Sequence, residues 1–345
     1  MRRALLWSVS LACLCACTAA RPDLGTAHFE ELDSGVHASL RGVSVVSSAV
    51  AWVSGAEGTV LRTLDGGAHW TALELPGTTP LDYRMVVAFD ADHALVASAG
   101  SPARVFATGD GGHSWQLVHR DDRPAIFFDA LAFADPQHGY LVGDPIGGEF
   151  IALATDDGGA HWHALDRLPP AERGEALFAA SNRSVQAAGP VVRIATGGSV
   201  ARVLRSGDAG ATWSWARTPL RAGKVSAGAF AMTFADDLHG TLVGGDYLDE
   251  AARADTAAFT VDGGRTWQRA EVGPRGYCSS VACAPSFGPG VRLAVGPRGA
   301  DLSRDGGRTW APLTCPPCHA VAFADDAPIG FAVGPGGRIV RITSE

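Results

Sequence analysis

An all-β fold, a seven-bladed β-propeller closed by its own N-terminal strand, is predicted by three features of this 345-residue chain. A turn spelled Ser/Thr-x-Asp-x-Gly-x-x-Trp occurs six times, its aspartates 43 to 54 residues apart, the length of one four-stranded blade. Upstream of most copies runs a second pattern: Phe-x-Asp, a polar turn, then Gly and a Val-Gly step. The final repeat stops one strand short, and a segment near the N-terminus matches the missing piece.

The six turns place Asp65 with Trp70, Asp110 with Trp115, Asp157 with Trp162, Asp208 with Trp213, Asp262 with Trp267 and Asp305 with Trp310. Two strands joined by so short a loop need positive backbone φ, which Gly supplies, while Asp accepts backbone N–H groups across the turn. In the fourth copy Ala209 replaces the first Gly, so Gly210 is expected to carry that demand. Each Trp reads as a core anchor filling the gap to the neighbouring sheet. His69 and His161 take the place held by Thr in other copies, on separate blades, where they cannot share a metal. The second pattern appears as Phe133-Ala134-Asp135 with Gly139, Phe234-Ala235-Asp236 with Gly240, and Phe323-Ala324-Asp325 with Gly330. Two blades depart from it, with Phe89-Asp90 before Ala94, and with Ala179-Ala180-Ser181 in the equivalent place. The last unit, His319 to Ile342, lacks an outer strand, and Ala27 to Leu32 parallels Ala68 to Leu73. That segment is expected to close the ring and remove an exposed sheet edge.

The repeated turn is the Asp-box, or BNR repeat, and the chain resembles exported propellers of the photosystem II stability/assembly factor family. More distantly it resembles sialidase-type propellers, which carry the same box. The first resemblance implies a non-enzymatic scaffold or assembly factor with a protein partner in the cell envelope or a membrane complex. The second implies a glycoside hydrolase or carbohydrate-binding protein, with a glycan as ligand. Sialidase chemistry needs three arginines on a substrate carboxylate plus Tyr, Glu and Asp in the channel. The diagnostic Arg-Ile-Pro before the first box is absent: Arg41 is followed by Gly42-Val43, and Val192-Arg193-Ile194-Ala195 falls too late. No catalytic residues are therefore assigned, and no metal or cofactor is expected.

Residues 1–17 read as an export signal with a lipobox-like end, 18–26 as a tether, and 27–345 as one propeller. Arg2-Arg3 precede an apolar run, Ala4 to Ala16, too short to span a bilayer. Leu14-Cys15-Ala16-Cys17 marks Cys17 for lipidation; the rival cut lies after the small residues ending at Ala20. A periplasmic or outer-membrane-anchored lipoprotein, monomeric, is the expectation. The net charge of −8, with one lysine, Lys224, argues against nucleic-acid binding, which needs clustered cations.

Beyond the leader stand Cys278, Cys283, Cys315 and Cys318. An even number in an exported protein points to disulfides, with three pairings open. A staple between blades six and seven, Cys278 with Cys318 or Cys315, is expected, because extended residues would strain a Cys278–Cys283 bridge. Cys315-Pro316-Pro317-Cys318-His319 also spells a c-type haem attachment pattern, which makes a haem-linked redox protein a minor alternative.

Strand parity puts the starts of the inner strands at the channel mouth opposite the boxes. Binding candidates there are Arg41, Tyr83, Arg84, Asp129, Lys224, Tyr277 and His319. The longest hairpin insertion, Gly245 to Asp255 in blade five, adds Asp246 and Tyr247 as loop contacts on a rigid scaffold.

Overall fold

The computed structural model describes residues 22–77 and 81–344. These form seven antiparallel sheets, the blades of a ring whose inner strands are Leu40–Val45, Asp82–Ala88, Phe128–Phe133, Val185–Ala188, Ala227–Phe234, Ser280–Cys283 and Ala320–Phe323. Three short 3-10 turns are the helical content of the described residues. Blade 7 is completed from the other end of the chain. Its outer strand is His28–Leu32, antiparallel to Ile339–Thr343, with His28 opposite Thr343 and Leu32 opposite Ile339. Glu30 and Arg341 pair across this seam at 2.6 Å, and Glu31 and Arg338 at 3.0 Å.

Each box is a small hydrogen-bond cluster, repeated with little variation. In the first, the Thr63 hydroxyl donates to Asp65 Oδ1 (2.9 Å) and accepts from the Gly67 N–H (2.9 Å), while the His69 N–H donates to the same carboxylate oxygen (2.9 Å). The equivalent glycine N–H donates to the buried Thr or Ser hydroxyl at 2.8 to 3.0 Å in all six. The second carboxylate oxygen takes a hydroxyl from Ser114, Thr212, Thr266 or Thr309. In boxes one and three it takes Nδ1 of His69 or His161 instead, at 2.7 Å. The imidazole thus stands where a hydroxyl donor does elsewhere, which explains those two substitutions. Hydrogen bonds from the residue four places on hold Asp65, Asp110, Asp157 and Asp208 down at a pKa of about 2.

The box tryptophans are interface fillers. Trp70 meets Phe331 of the preceding blade edge-on at 5.5 Å, and Trp115 meets Trp52 of the preceding blade at 6.3 Å. Trp162, Trp213, Trp267 and Trp310 sit in the apolar clusters that join their blades to the ones before. The Phe-x-Asp pattern has an equally local cause. A Cβ on Gly139, Gly240 or Gly330 would lie 2.6, 2.4 or 2.4 Å from the ring of Phe133, Phe234 or Phe323, so the aromatic ring occupies the space that only glycine leaves open.

Three expectations need correction. Ala209 has φ +57°, so its turn demands the left-handed conformation at that residue too, and Gly210 does not carry it alone. The tether is shorter than expected: Leu24 is buried in the core between blades 6 and 7, and Asp23 pairs with Arg304 at 2.7 Å. Ala179-Ala180-Ser181 does not occupy the Phe-x-Asp place of blade 4, whose inner strand begins later, at Val185. Instead, residues 165–184 make an excursion from the repeat. Glu175–Ala176 and Gly197–Gly198 pair with each other and extend the sheet of blade 5 toward the axis. Arg202 clamps the excursion with two 2.7 Å bonds to Glu175, both side chains being at most 4% exposed, and Thr196 adds a 2.6 Å bond.

The following residues cross the channel. Arg84 of blade 2 donates to the Ala179 carbonyl (3.3 Å), and the Ser181 hydroxyl donates to the Ser279 carbonyl beside blade 6 (2.7 Å). Asn182 joins the Leu131 N–H of blade 3 (2.7 Å) to the Val86 carbonyl of blade 2 (3.3 Å), and the Met232 N–H of blade 5 donates to the Arg183 carbonyl (2.9 Å). Five residues bonded to four blades must pass near the axis. They line both a mouth cavity of about 410 Å³ and a second one of about 260 Å³ formed by the far ends of the inner strands.

Candidate binding site at the channel mouth

The mouth is built by one backbone device used four times. At the start of the inner strands of blades 1, 2, 3 and 5 the pairing register slips by one residue, between Leu40 and Gly42, Tyr83 and Met85, Phe128 and Ala130, and Ala229 and Ala231. The extra residues are Arg41, Arg84, Asp129 and Phe230, and all four line the mouth cavity. A β-bulge re-aims a side chain that regular alternation would send elsewhere. His319 and Tyr277, just ahead of the inner strands of blades 7 and 6, complete the wall with Tyr247 and Glu250 from the blade 5 insertion and Phe178 from the excursion.

One side of the cavity is aromatic. Phe178 stacks on Phe230 at 3.8 Å and 13°, Tyr277 meets Phe230 edge-on at 4.7 Å, and Tyr247 is edge-on to both phenylalanines. The other side is cationic. Arg84 is held by Asp82 at 2.7 Å and lies over the Phe127 ring at 5.9 Å. Arg41 is half-buried and makes no ion pair among the described residues; burial, then the neighbouring Arg84, lowers its pKa. Burial, reinforced by Arg41 and Arg84, pushes His319 down to about 4, so its ring is neutral at physiological pH. Burial and then the nearby Asp144 raise Asp129 well above the carboxylate range. Among the described residues its Oδ2 has no hydrogen-bond partner. Burial raises the Tyr277 hydroxyl and Asp144 as well.

Arg41, Arg84, Asp129, Tyr247, Tyr277 and His319 of the expected set are therefore brought together, and three residues are not. Tyr83, one residue before a bulge, turns into the interface between blades 1 and 2 and packs edge-on to Phe106. Lys224 and Asp246 pair with each other at 3.2 Å beside the cavity, with Asp246 buried. Phe178, Phe230 and Asp144 were missed. Phe230 stands at the same bulge position as Arg41, and that equivalence was the available signal.

Cys278, Cys283, Cys315 and Cys318 are free thiols, so the expected staple between blades 6 and 7 is not formed. Cys283 instead interacts with the Thr233 hydroxyl at 3.1 Å. The haem pattern does not fit its surroundings: Cys318 is 1% exposed in the core between blades 6 and 7, while His319 faces the mouth cavity. The Cys17 assignment lies outside the described residues.

The family described as photosynthesis system II assembly factor YCF48 matches residues 22–126. The photosystem II assembly lipoprotein Ycf48 of Synechococcus sp. (strain CC9902) is 29% identical over 107 residues, 30% of this chain and 32% of that protein. The chain thus matches about a third of the length of that curated relative. Among solved structures, YCF48 bound to D1 peptide superposes with a TM-score of 0.66 at 17% identity, over 94% of this chain and 100% of the other. YCF48 from Cyanidioschyzon merolae gives 0.64 at 17% identity, over 91% and 98%. The GH74 xyloglucanase from Xanthomonas campestris gives 0.63 at 21% identity, over 91% of this chain and 53% of that enzyme. At such identities these likenesses speak for the fold alone. Boxes, ring closure and these matches together make the chain an all-β, seven-bladed Asp-box propeller similar to the photosystem II assembly factors.

Proposed function

We propose that this propeller is an exported, lipid-anchored, non-enzymatic assembly or stability factor that holds a peptide segment of a membrane-complex partner at its channel mouth. The observation that carries the reading is the mouth itself: four bulges aim Arg41, Arg84, Asp129 and Phe230 into one concave, preformed site. An unpaired guanidinium beside an aromatic wall suits an extended peptide that brings a carboxylate and an apolar side chain. The likeness to a YCF48 structure with a bound peptide and to a lipoprotein relative supports the same reading. Fluorescence anisotropy against an array of extended peptides, with and without acidic groups, tests it. Arg41→Ala is expected to weaken the best acidic peptide by about tenfold, the worth of one charge-assisted contact. Equal binding by wild type and by an Arg41→Ala, Phe230→Ala double variant would remove the site from the proposal.

A glycoside hydrolase is the second reading, favoured by one observation: Asp129 and Asp144 share the cavity and both carboxyls are raised by burial, as a general acid requires. Against it, two arginines face the site where sialidase chemistry needs three. Burial also raises the Tyr277 hydroxyl, opposite to the activation of a nucleophile. Turnover of sialosides or xyloglucan that disappears in Asp129→Asn would establish hydrolysis.

A further inference from the structure

The Cys315-Pro316-Pro317-Cys318 loop links the outer strand of blade 6 to the inner strand of blade 7, and no role at the channel mouth uses its thiols. Cys315 is half-buried and packs against the apolar core between the two blades, of which Cys318 is a buried member. Both residues therefore belong to the same apolar region between the blades, one on either side of the Pro316-Pro317 step. The backbone between them is two prolines, whose fixed φ limits the ways in which the ends can part. The loop is also tied to the ring closure: Arg338 donates to the Pro317 carbonyl at 3.1 Å and pairs with Glu31 of the closing strand at 3.0 Å.

We propose that Cys315 and Cys318 are a reversible dithiol–disulfide pair, with Cys315 the attacking sulfur and Cys318 the resolving one. Access assigns the order, since Cys315 is the more exposed of the two. The assignment agrees with the lowering of the Cys315 thiol by the hydrogen bond from Cys318, aided by Arg338 and Arg275. The oxidant is an external disulfide, that of a thiol–disulfide oxidoreductase or of oxidised glutathione. The Cys315 thiolate attacks one sulfur of that disulfide, and the other sulfur leaves as a thiolate and takes up a proton. Cys318 then gives up its proton and attacks Cys315 Sγ, which expels the second external sulfur. The chain loses two protons and two electrons, and the external disulfide becomes two thiols. The product stiffens the loop that Arg338 ties to the N-terminal strand. Cys278 and Cys283 stay reduced, the first buried and the second engaged by Thr233.

The test equilibrates the full chain in glutathione buffers of increasing oxidised fraction, then blocks free thiols and maps peptides by mass spectrometry. The expected result is an internal Cys315–Cys318 bridge that dithiothreitol reverses, with Cys278 and Cys283 still alkylated after denaturation. Cys318→Ser is expected to accumulate a glutathione adduct on Cys315, and Cys315→Ser to accumulate none on Cys318. Because Cys318 is a core residue, the Cys278→Ser, Cys283→Ser double variant provides a second check: it keeps both proposed partners and forms the same bridge. A bridge from Cys315 or Cys318 to Cys278, or alkylation of Cys315 and Cys318 across the whole series, overturns the proposal.

Discussion

The rim and the mouth of this ring are built on opposite plans. At the rim, six boxes repeat one hydrogen-bond cluster so closely that the turn N–H bond varies only from 2.8 to 3.0 Å. At the mouth, one bulge recurs in four blades but carries Arg, Arg, Asp and Phe. Constant backbone with varied side chains gives a surface whose chemistry differs from blade to blade; constant backbone with constant side chains gives a turn that repeats its own hydrogen bonds. The excursion of residues 165–184 lies at the far end of this contrast, since it belongs to one blade and reaches four others.

Breaking the excursion is expected to have the largest effect. Glu175→Ala leaves Arg202 charged, buried and unpaired, and is expected to cost about 3–5 kcal/mol in urea unfolding. Removing the exposed partner pair with Glu172→Ala, which faces Arg217 at 3.1 Å, is expected to cost about 0–1 kcal/mol. Similar losses for both would mean that the clamp is ornamental. Next, Thr155→Val removes a 3% exposed hydroxyl that serves both Asp157 and the Gly159 N–H. A loss of about 1–3 kcal/mol is expected, and Thr63→Val or Thr260→Val should match it if the boxes are energetically equivalent.

The two regions also separate on a pH axis. His319 has a folded pKa of about 4 against an ordinary 6.5, so between those values the unfolded chain binds a proton that the folded one refuses. Stability therefore falls as pH drops from about 6.5 to 4, and His319→Gln is expected to recover about 2 kcal/mol at pH 4 relative to neutral pH, after allowance for partial exposure. The box aspartates act lower: their contribution is complete above the ordinary carboxylate value and is lost as pH falls through about 2. Asp129 has the opposite sign, because its raised folded pKa penalises the fold as pH rises, a penalty that Asp129→Asn is expected to lift. Denaturant midpoints of the three proteins at pH 7, 5 and 3 resolve these effects. The smallest change sharpens the rim: Ala209→Gly relieves a left-handed alanine and is expected to stabilise by about 1 kcal/mol. Gly158→Ala, at φ +75°, is expected to destabilise by a similar amount.

The fold was largely legible in the residues because its determinants are local. Box hydroxyl, carboxylate and glycine lie within a few positions of one another, and the closing strand resembles the strands it replaces. The mouth was half legible. Counting strands places the starts of the inner strands at the mouth, and with them Arg41, Arg84, Asp129 and His319, but which of two neighbours faces the cavity is set by a bulge, so Tyr83 was drawn to the wrong side of its strand. The excursion was opaque because its partners, Arg202, Ser279, Val86 and Leu131, are distant along the chain and belong to different blades. Ala179-Ala180-Ser181 carries no side-chain pattern that announces a crossing. The cysteines misled for a related reason: the expected staple to Cys278 joined positions far apart in sequence, whereas Cys278 lies in a different apolar cluster from the one that holds Cys318 and packs against Cys315.

The strip from Ala179 to Arg183 makes this ring a dish with a floor. A filament cannot be drawn through its axis, so whatever the molecule holds must arrive and depart on the same side. A molecule bound at the mouth would leave by lifting away, with no need for the circle to open.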